Sequence, residues 1–206
     1  MSTDAELLAA WRQGDRAAGN QLVERYFVPV YRFFRNKVDG ELDDLVQATF
    51  LRCSQAKDAI TEQSNFRAYL FAVARNVLTD HYRARHRGHE AIDPSRLSVA
   101  ELGATPTAVL ARRQEQRLLL EALRAIPLDE QVLLELFYWE RMRGKELGAV
   151  LGVPEGTART RLRSARQSLE AALNRLARSP AQLQSTMSDL ERWSEQIRDY
   201  MAADLS

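Results

Sequence analysis

Seven polar residues between Thr157 and Arg166 carry the most distinctive chemistry in the chain: Thr157, Arg159, Thr160, Arg161, Arg163, Ser164 and Arg166. Four are guanidinium groups, and no acid interrupts the run before Glu170. Arginine forks match guanine edges and phosphates, while hydroxyls at a helix N-terminus suit phosphate oxygens. Between and beyond them Ala158, Leu162, Ala165, Leu169, Ala172 and Leu176 recur at steps of four and three, which defines one buried stripe and turns the polar set outward. An arginine face can also be a merely solvated surface. Solvated faces usually mix signs, and this one does not.

A second basic stretch runs from Phe66 to Arg87. Arg67, Arg75, Arg83, Arg85 and Arg87 face a single acid, Asp80, with Phe66, Tyr69, Phe71 and Tyr82 interleaved. Such a helix can hold single strands, its arginines following phosphates while aromatic groups or pockets receive unstacked bases, a mode worth about 1–3 kcal/mol per stacked base. The competing reading is that Phe66, Leu70 and Val73 are core, since aromatic residues at helical spacing usually pack.

Both stretches need rigid elements beneath them. Leu151-Gly152-Val153-Pro154 joins a helix of about eight residues to one of about eighteen, with a glycine able to take the left-handed conformation after the first helix and a proline placed to start the second. That is a helix-turn-helix pattern. Upstream, no glycine lies between Gly40 and Gly88 and no proline between Pro29 and Pro94, so long helices are expected. The periodicity predicts helices over Ala5 to Trp11, over Ala17 to Val38 with a bend near Pro29, over Glu41 to Ser54, and from Asn65, an available N-cap, to about Arg87. From residue 88 to 107 glycine, proline and serine break any period, which reads as a flexible linker. Helical patterns return over Val109 to Ile126 and Asp129 to Glu140, and no alternating run calls for a sheet. The expected fold class is all-α, with two small helical domains.

Composition narrows the function. The 206 residues are 45% apolar and 28% charged, as in ordinary globular proteins, and 29 Lys+Arg against 28 Asp+Glu leave a net +1, so any nucleic-acid signal must be local. The lone Cys53 sits on an apolar stripe and allows no intramolecular disulfide, which fits a cytoplasmic setting. Acids at Asp4 and Glu6 oppose a signal peptide, and no apolar run approaches the ~18 residues needed to cross a membrane. His81, His86 and His89 are spaced by five and three, which does not bring them to one helical face, so no metal site is expected. Serine-hydrolase, zinc-protease and phosphate-loop motifs are all missing, and neither an enzyme nor a cofactor is expected.

Three ordered segments resemble the extracytoplasmic-function (ECF) class of bacterial RNA polymerase sigma factors. They are Asp43-Asp44-Leu45-Val46-Gln47-Ala48-Thr49-Phe50-Leu51-Arg52; Phe66-Arg67-Ala68-Tyr69-Leu70 running into Ala74-Arg75-Asn76 and Asp80; and Leu151-Gly152-Val153-Pro154 through Leu162. The resemblance covers about Leu22 to Leu176. It implies a sigma domain 2-like bundle over residues 1–87, the 88–107 linker, a sigma domain 4-like helix-turn-helix over 108–178, and an extension over 179–206. It implies that Asp44, Gln47, Ala48 and Leu51 dock on the β′ clamp helices of the polymerase core, with the β flap as a second partner. Ser64 and Asn65, leading into Phe66, stand where the family captures a flipped minus-10 base, with Arg75, Asn76, Asp80 and Arg83 facing the melting DNA. Thr157, Arg159, Thr160, Arg161 and Arg163 fall in the helix that resembles the minus-35 reader. Two positions depart from the family pattern: Ala48 where a Glu often follows Gln47, and Arg143-Gly144 where a Ser-Tyr pair commonly caps the first helix of the turn motif. A polymerase-independent helix-turn-helix repressor is the alternative reading.

The extension has its own pattern. Leu183, Met187, Leu190, Ile197 and Met201, with Trp193 beside them, follow helical steps and leave Asp189, Glu191, Glu195 and Asp199 outside. An acidic amphipathic helix either packs on the second domain or covers a basic DNA-reading face as an internal inhibitor, and a separate anti-sigma protein is a further candidate partner.

Overall fold

The computed structural model of the chain describes residues 2–60, 65–85, 93, 96–102 and 114–203. Among them ten α-helices appear: α1 (Asp4–Arg12), α2 (Arg16–Arg35), α3 (Leu42–Gln55), α4 (Phe66–Arg85), α5 (Gln114–Arg124), α6 (Leu128–Tyr138), α7 (Gly144–Leu151), α8 (Glu155–Leu176), α9 (Pro180–Ser188) and α10 (Leu190–Ala203). No strand occurs among the described residues, as the all-α expectation requires. Pro29 lies inside α2, which continues through it to Arg35.

Helices α1–α4 pack around Leu22, Val30, Phe34, Leu70, Phe71 and Leu78, all fully buried or nearly so. Cys53 is buried among them, and burial pushes its thiol up to about 12, so it is inert core. Helices α5–α8 close on a second set that includes Leu119, Val132, Leu134 and Leu173. Residues expected to be loose linker contribute to this second group: Val99 and Leu102 are buried, Ser98 forms an isolated bridge with Pro127, and the Leu128 amide donates to the Leu97 carbonyl at 2.9 Å. Two apolar residues three apart are enough to anchor a turn whose composition otherwise signals a loop.

The two helical groups are in contact, and buried ion pairs cross between them beside the shared apolar cluster. Lys37, in the turn that follows α2, and Glu135 on α6 form a fully buried ion pair. The Lys37 ammonium also donates to the Phe33 carbonyl at 2.5 Å, and Glu135 accepts from Asn36 at 3.3 Å and from Gln131 at 2.8 Å. Burial holds the Lys37 ammonium below the usual lysine range, against the pull of Glu135. Beside it Arg32 Nε donates to Glu140 at 3.0 Å, and Arg124 donates to the Asn36 side-chain oxygen at 2.9 Å. Burial raises the Glu140 carboxyl above its ordinary value although Arg32 works the other way.

Candidate nucleic-acid interface

Two glycines set the geometry of the helix-turn-helix. Gly152 ends α7 at φ +66, a left-handed conformation that glycine adopts without strain, and the Val153 amide then donates to the Gly148 carbonyl at 2.9 Å. At Gly148 a methyl group would stand 2.7 Å from the Val153 carbonyl oxygen, so the turn folds back on backbone that a side chain would displace. The departure at Arg143-Gly144 is compensated locally. The Glu146 carboxylate reaches back to accept the Arg143 amide at 3.3 Å, as the reciprocal half of a capping box does.

On α8, Ala158, Ala165, Leu169 and Ala172 are buried, with Leu162 and Leu176 half-buried against the core. Thr157, Arg159, Thr160, Arg161 and Arg163 are all exposed, as the stripe predicts. Arg159 does have an acidic neighbour, pairing one turn back with Glu155, so the face is less purely cationic than its sequence run indicates. At 73% exposure such a pair is cheap to trade for a phosphate or a base. The Thr160 hydroxyl donates to the Gly156 carbonyl at 3.1 Å, and Arg161 lines a cavity of about 200 Å³ with Asp129 and Glu130.

Sequence reasoning overlooked an aromatic mount behind this face. The Arg143 and Arg166 guanidinium groups lie 4.2 Å and 4.8 Å from the centre of the Phe137 ring, and Arg166 lies 5.7 Å from that of Tyr138. Stacking on a ring holds a guanidinium flat while leaving its N–H donors available to an anion. The signal lay in Phe137-Tyr138, which the apolar period absorbed into the helix core.

On α4 the candidate residues divide. The Asn65 side-chain oxygen accepts the Arg67 and Ala68 amides at 3.0 and 3.4 Å, capping the helix as expected. Its amide nitrogen donates to Glu146 at 2.7 Å, and Arg67 joins the same carboxylate at 2.7 Å. Arg75 makes a two-pronged pair with Asp129, both N–O distances being 2.9 Å. Asn76, Asp80 and Arg83 are exposed, and Asp80 accepts from Arg52 at 2.8 Å. Phe66 is corrected: it is 3% exposed and stacks at a tilt on Tyr26, so it belongs to the core. An apolar residue at the first position of a helix that packs inward has nowhere else to go. Ser64 lies outside the described residues.

Asp44, Gln47 and Leu51 form an exposed edge of α3, Leu51 at 55%, while Ala48 is half-buried among them. His81 sits beside Glu41, Nδ1 to carboxylate oxygen 3.2 Å, and burial lowers its imidazole from the ordinary value; His86 and His89 lie outside the described residues.

Of the two readings of the extension, packing on the second group is the one the structure takes, with a further contact to α2. The extension is two helices rather than one, broken at Asp189, and α10 packs across α2, α5 and α6. The α8 face with Thr157, Arg159, Thr160, Arg161 and Arg163 stays exposed, so the extension does not cover it. Ile197 is buried and Leu183, Met187 and Leu190 are partly so, as the periodicity requires; the side chains of Trp193 and Met201 lie outside the described residues. No helix among the described residues is long and apolar enough to cross a membrane.

Residues 22–88 match the family model for Sigma-70 region 2, and residues 116–169 match that for Sigma-70, region 4. The chain is 30% identical over 134 residues to the probable RNA polymerase sigma factor RfaY of Xanthomonas campestris pv. campestris, covering 64% of this chain and 34% of that one. It thus spans about a third of the length of that relative. It is 24% identical over 185 residues to the ECF RNA polymerase sigma-E factor of Salmonella typhimurium, covering 85% and 97%. Among solved structures, CnrH in complex with the cytosolic domain of CnrY superposes with a TM-score of 0.56 at 26% identity over 84% of this chain and 99% of that one.

Proposed function

The chain belongs to the sigma-70 family, in its ECF class, and on that premise we propose that it binds core RNA polymerase and directs promoter-specific initiation. In this reading residues 1–87 dock on the polymerase and hold melted minus-10 bases, 88–107 connect, 108–178 read the minus-35 duplex, and 179–206 form an extension. The α3 edge of Asp44, Gln47, Ala48 and Leu51 meets the β′ clamp helices, and the second group meets the β flap. Asn65, Arg75, Asn76, Asp80 and Arg83 line the path of the melted strand, with Ser64 beside them. On α8, arginine forks at 159, 161 and 163 address base edges and phosphates in the major groove, and Thr157 and Thr160 address the backbone. The polymerase supplies the catalysis. The chain works in the cytoplasm and needs no cofactor.

One observation supports this reading most. Regions 2 and 4 match in that order on the two helical groups that carry the exposed α3 edge and the exposed α8 face. A repressor acting without polymerase would leave region 2 and Leu51 without a role. The purified chain, mixed with core polymerase, is expected to co-migrate with it and to initiate at a promoter that core alone ignores. Duplex binding with no dependence on polymerase would overturn the reading.

A further inference from the structure

One acid interrupts the basic face of α4. Between Phe66 and Arg85 the only carboxylate is Asp80, exposed on the outward side of the helix with Asn76 one turn before it and Arg83 three residues after. On a surface that must accept the phosphates of a melted strand a bare carboxylate repels, so this one needs a partner. The partner comes from another helix. Arg52, in the last turn of α3, donates through Nη1 to Asp80 Oδ2 at 2.8 Å.

The two oxygens of Asp80 are used unequally. Oδ2 is taken by Arg52, whereas the Arg83 guanidinium stands 4.0 Å from Oδ1, beyond hydrogen-bond reach. An ionised carboxylate accepts and never donates, so the open Oδ1 suits the exocyclic amino group that cytosine, adenine and guanine carry. Thymine has none, and its single N–H sits between two carbonyl oxygens that repel a carboxylate. Resting on the sigma reading of α4, we infer that Arg52 is a positioning residue for base selection: it neutralises Asp80 and leaves one carboxylate oxygen to receive an amino-bearing base of the melted strand.

The backbone beneath the pair is already fixed, which leaves Arg52 only the direction of a side chain to settle. Thr79, just before Asp80, is buried and its hydroxyl donates to the Arg75 carbonyl at 2.9 Å. Tyr82, two residues after, is fully buried and its hydroxyl donates to the Lys37 carbonyl. On the other side Arg52 is rooted beside the buried Cys53, on a helix that packs along α4. The side chains of the pair are 46% and 50% exposed, so in the free chain water weakens it. Arg52 also follows Leu51, at the end of the α3 edge. Polymerase seated on that edge takes water from around the pair and strengthens it, so its effect on base selection is greatest in the holoenzyme.

The test uses core polymerase loaded with the full chain, either wild type or carrying Arg52→Ala, Arg52→Lys, Asp80→Asn, or Arg52→Ala and Asp80→Asn together. The probes are labelled bubble duplexes in which each unpaired minus-10 position carries C, A, G or T in turn, and anisotropy reads binding. Wild type is expected to prefer amino-bearing bases over thymine by about 10-fold at one position. Arg52→Ala should cut that preference about 5-fold and Arg52→Lys should restore most of it, whereas Arg52→Ala should change nothing further once Asp80→Asn has removed it. Urea unfolding midpoints should stay level throughout, since an exposed pair adds little to stability. A preference that survives Arg52→Ala or Asp80→Asn, or that falls only in step with the unfolding midpoint, overturns the positioning role and leaves the sigma reading intact. Loaded polymerase that binds the bubbles no better than core alone overturns the sigma reading, and the role of Arg52 with it.

Discussion

The Lys37–Glu135 pair gives the sharpest stability prediction. Both side chains are essentially out of water, at 0% and 2% exposure, and they sit 98 residues apart on opposite helical groups. Removing one partner of a buried pair strands the other charge, which costs about 3–5 kcal/mol, or roughly two to four decades in the equilibrium. Lys37→Met leaves the Glu135 carboxylate with only the Asn36 and Gln131 amides as donors. Glu135→Gln leaves the ammonium with the Phe33 carbonyl and the face of the Phe33 ring, 4.3 Å away. The double variant strands no charge and keeps an oxygen for Asn36 and Gln131, so it should lie within about 1 kcal/mol of wild type. The assay is urea unfolding of all four proteins combined with scattering to read closure. Single variants that stay as compact and as stable as wild type, or a double variant as damaged as the singles added together, would refute the buried-pair argument.

Gly148→Ala drives a methyl against the Val153 carbonyl and should cost about 1–3 kcal/mol while weakening duplex binding, whereas Gly156→Ala, with open space around it, should stabilise by roughly 0.5–1 kcal/mol; unfolding midpoints and a minus-35 duplex titration check both. Arg161→Ala should lose about 1–3 kcal/mol of discrimination at one base pair of the upstream element, read as a flattened preference in competition binding. Leu51→Asp should abolish co-migration with core polymerase without changing the unfolding midpoint, because the side chain is already exposed. Glu140 tests pH linkage. Its folded carboxyl titrates above 4.5, so the native state holds its proton more tightly than the unfolded chain. Relative to Glu140→Gln, wild type should gain stability as pH falls from neutral through that raised value toward 4.5, and a constant difference between the two would refute the assignment.

Local features were legible in the sequence because their causes are local. The α8 stripe follows from Ala158, Leu162, Ala165, Leu169 and Ala172, and the left-handed Gly152 follows from a glycine between two periodic segments. The exposed edge of α3 could be read from the same steps of three and four. What escaped depends on residues far apart in the chain. No pattern around Lys37 announces Glu135, and nothing near Arg75 announces Asp129, since a cross-group pair leaves only an ordinary charge at each end. Phe66 was read two ways, and only packing against Tyr26 decides between them. The extension announced an apolar stripe but not its destination, because one stripe fits any complementary groove and α10 met α2, α5 and α6 rather than the basic face of α8.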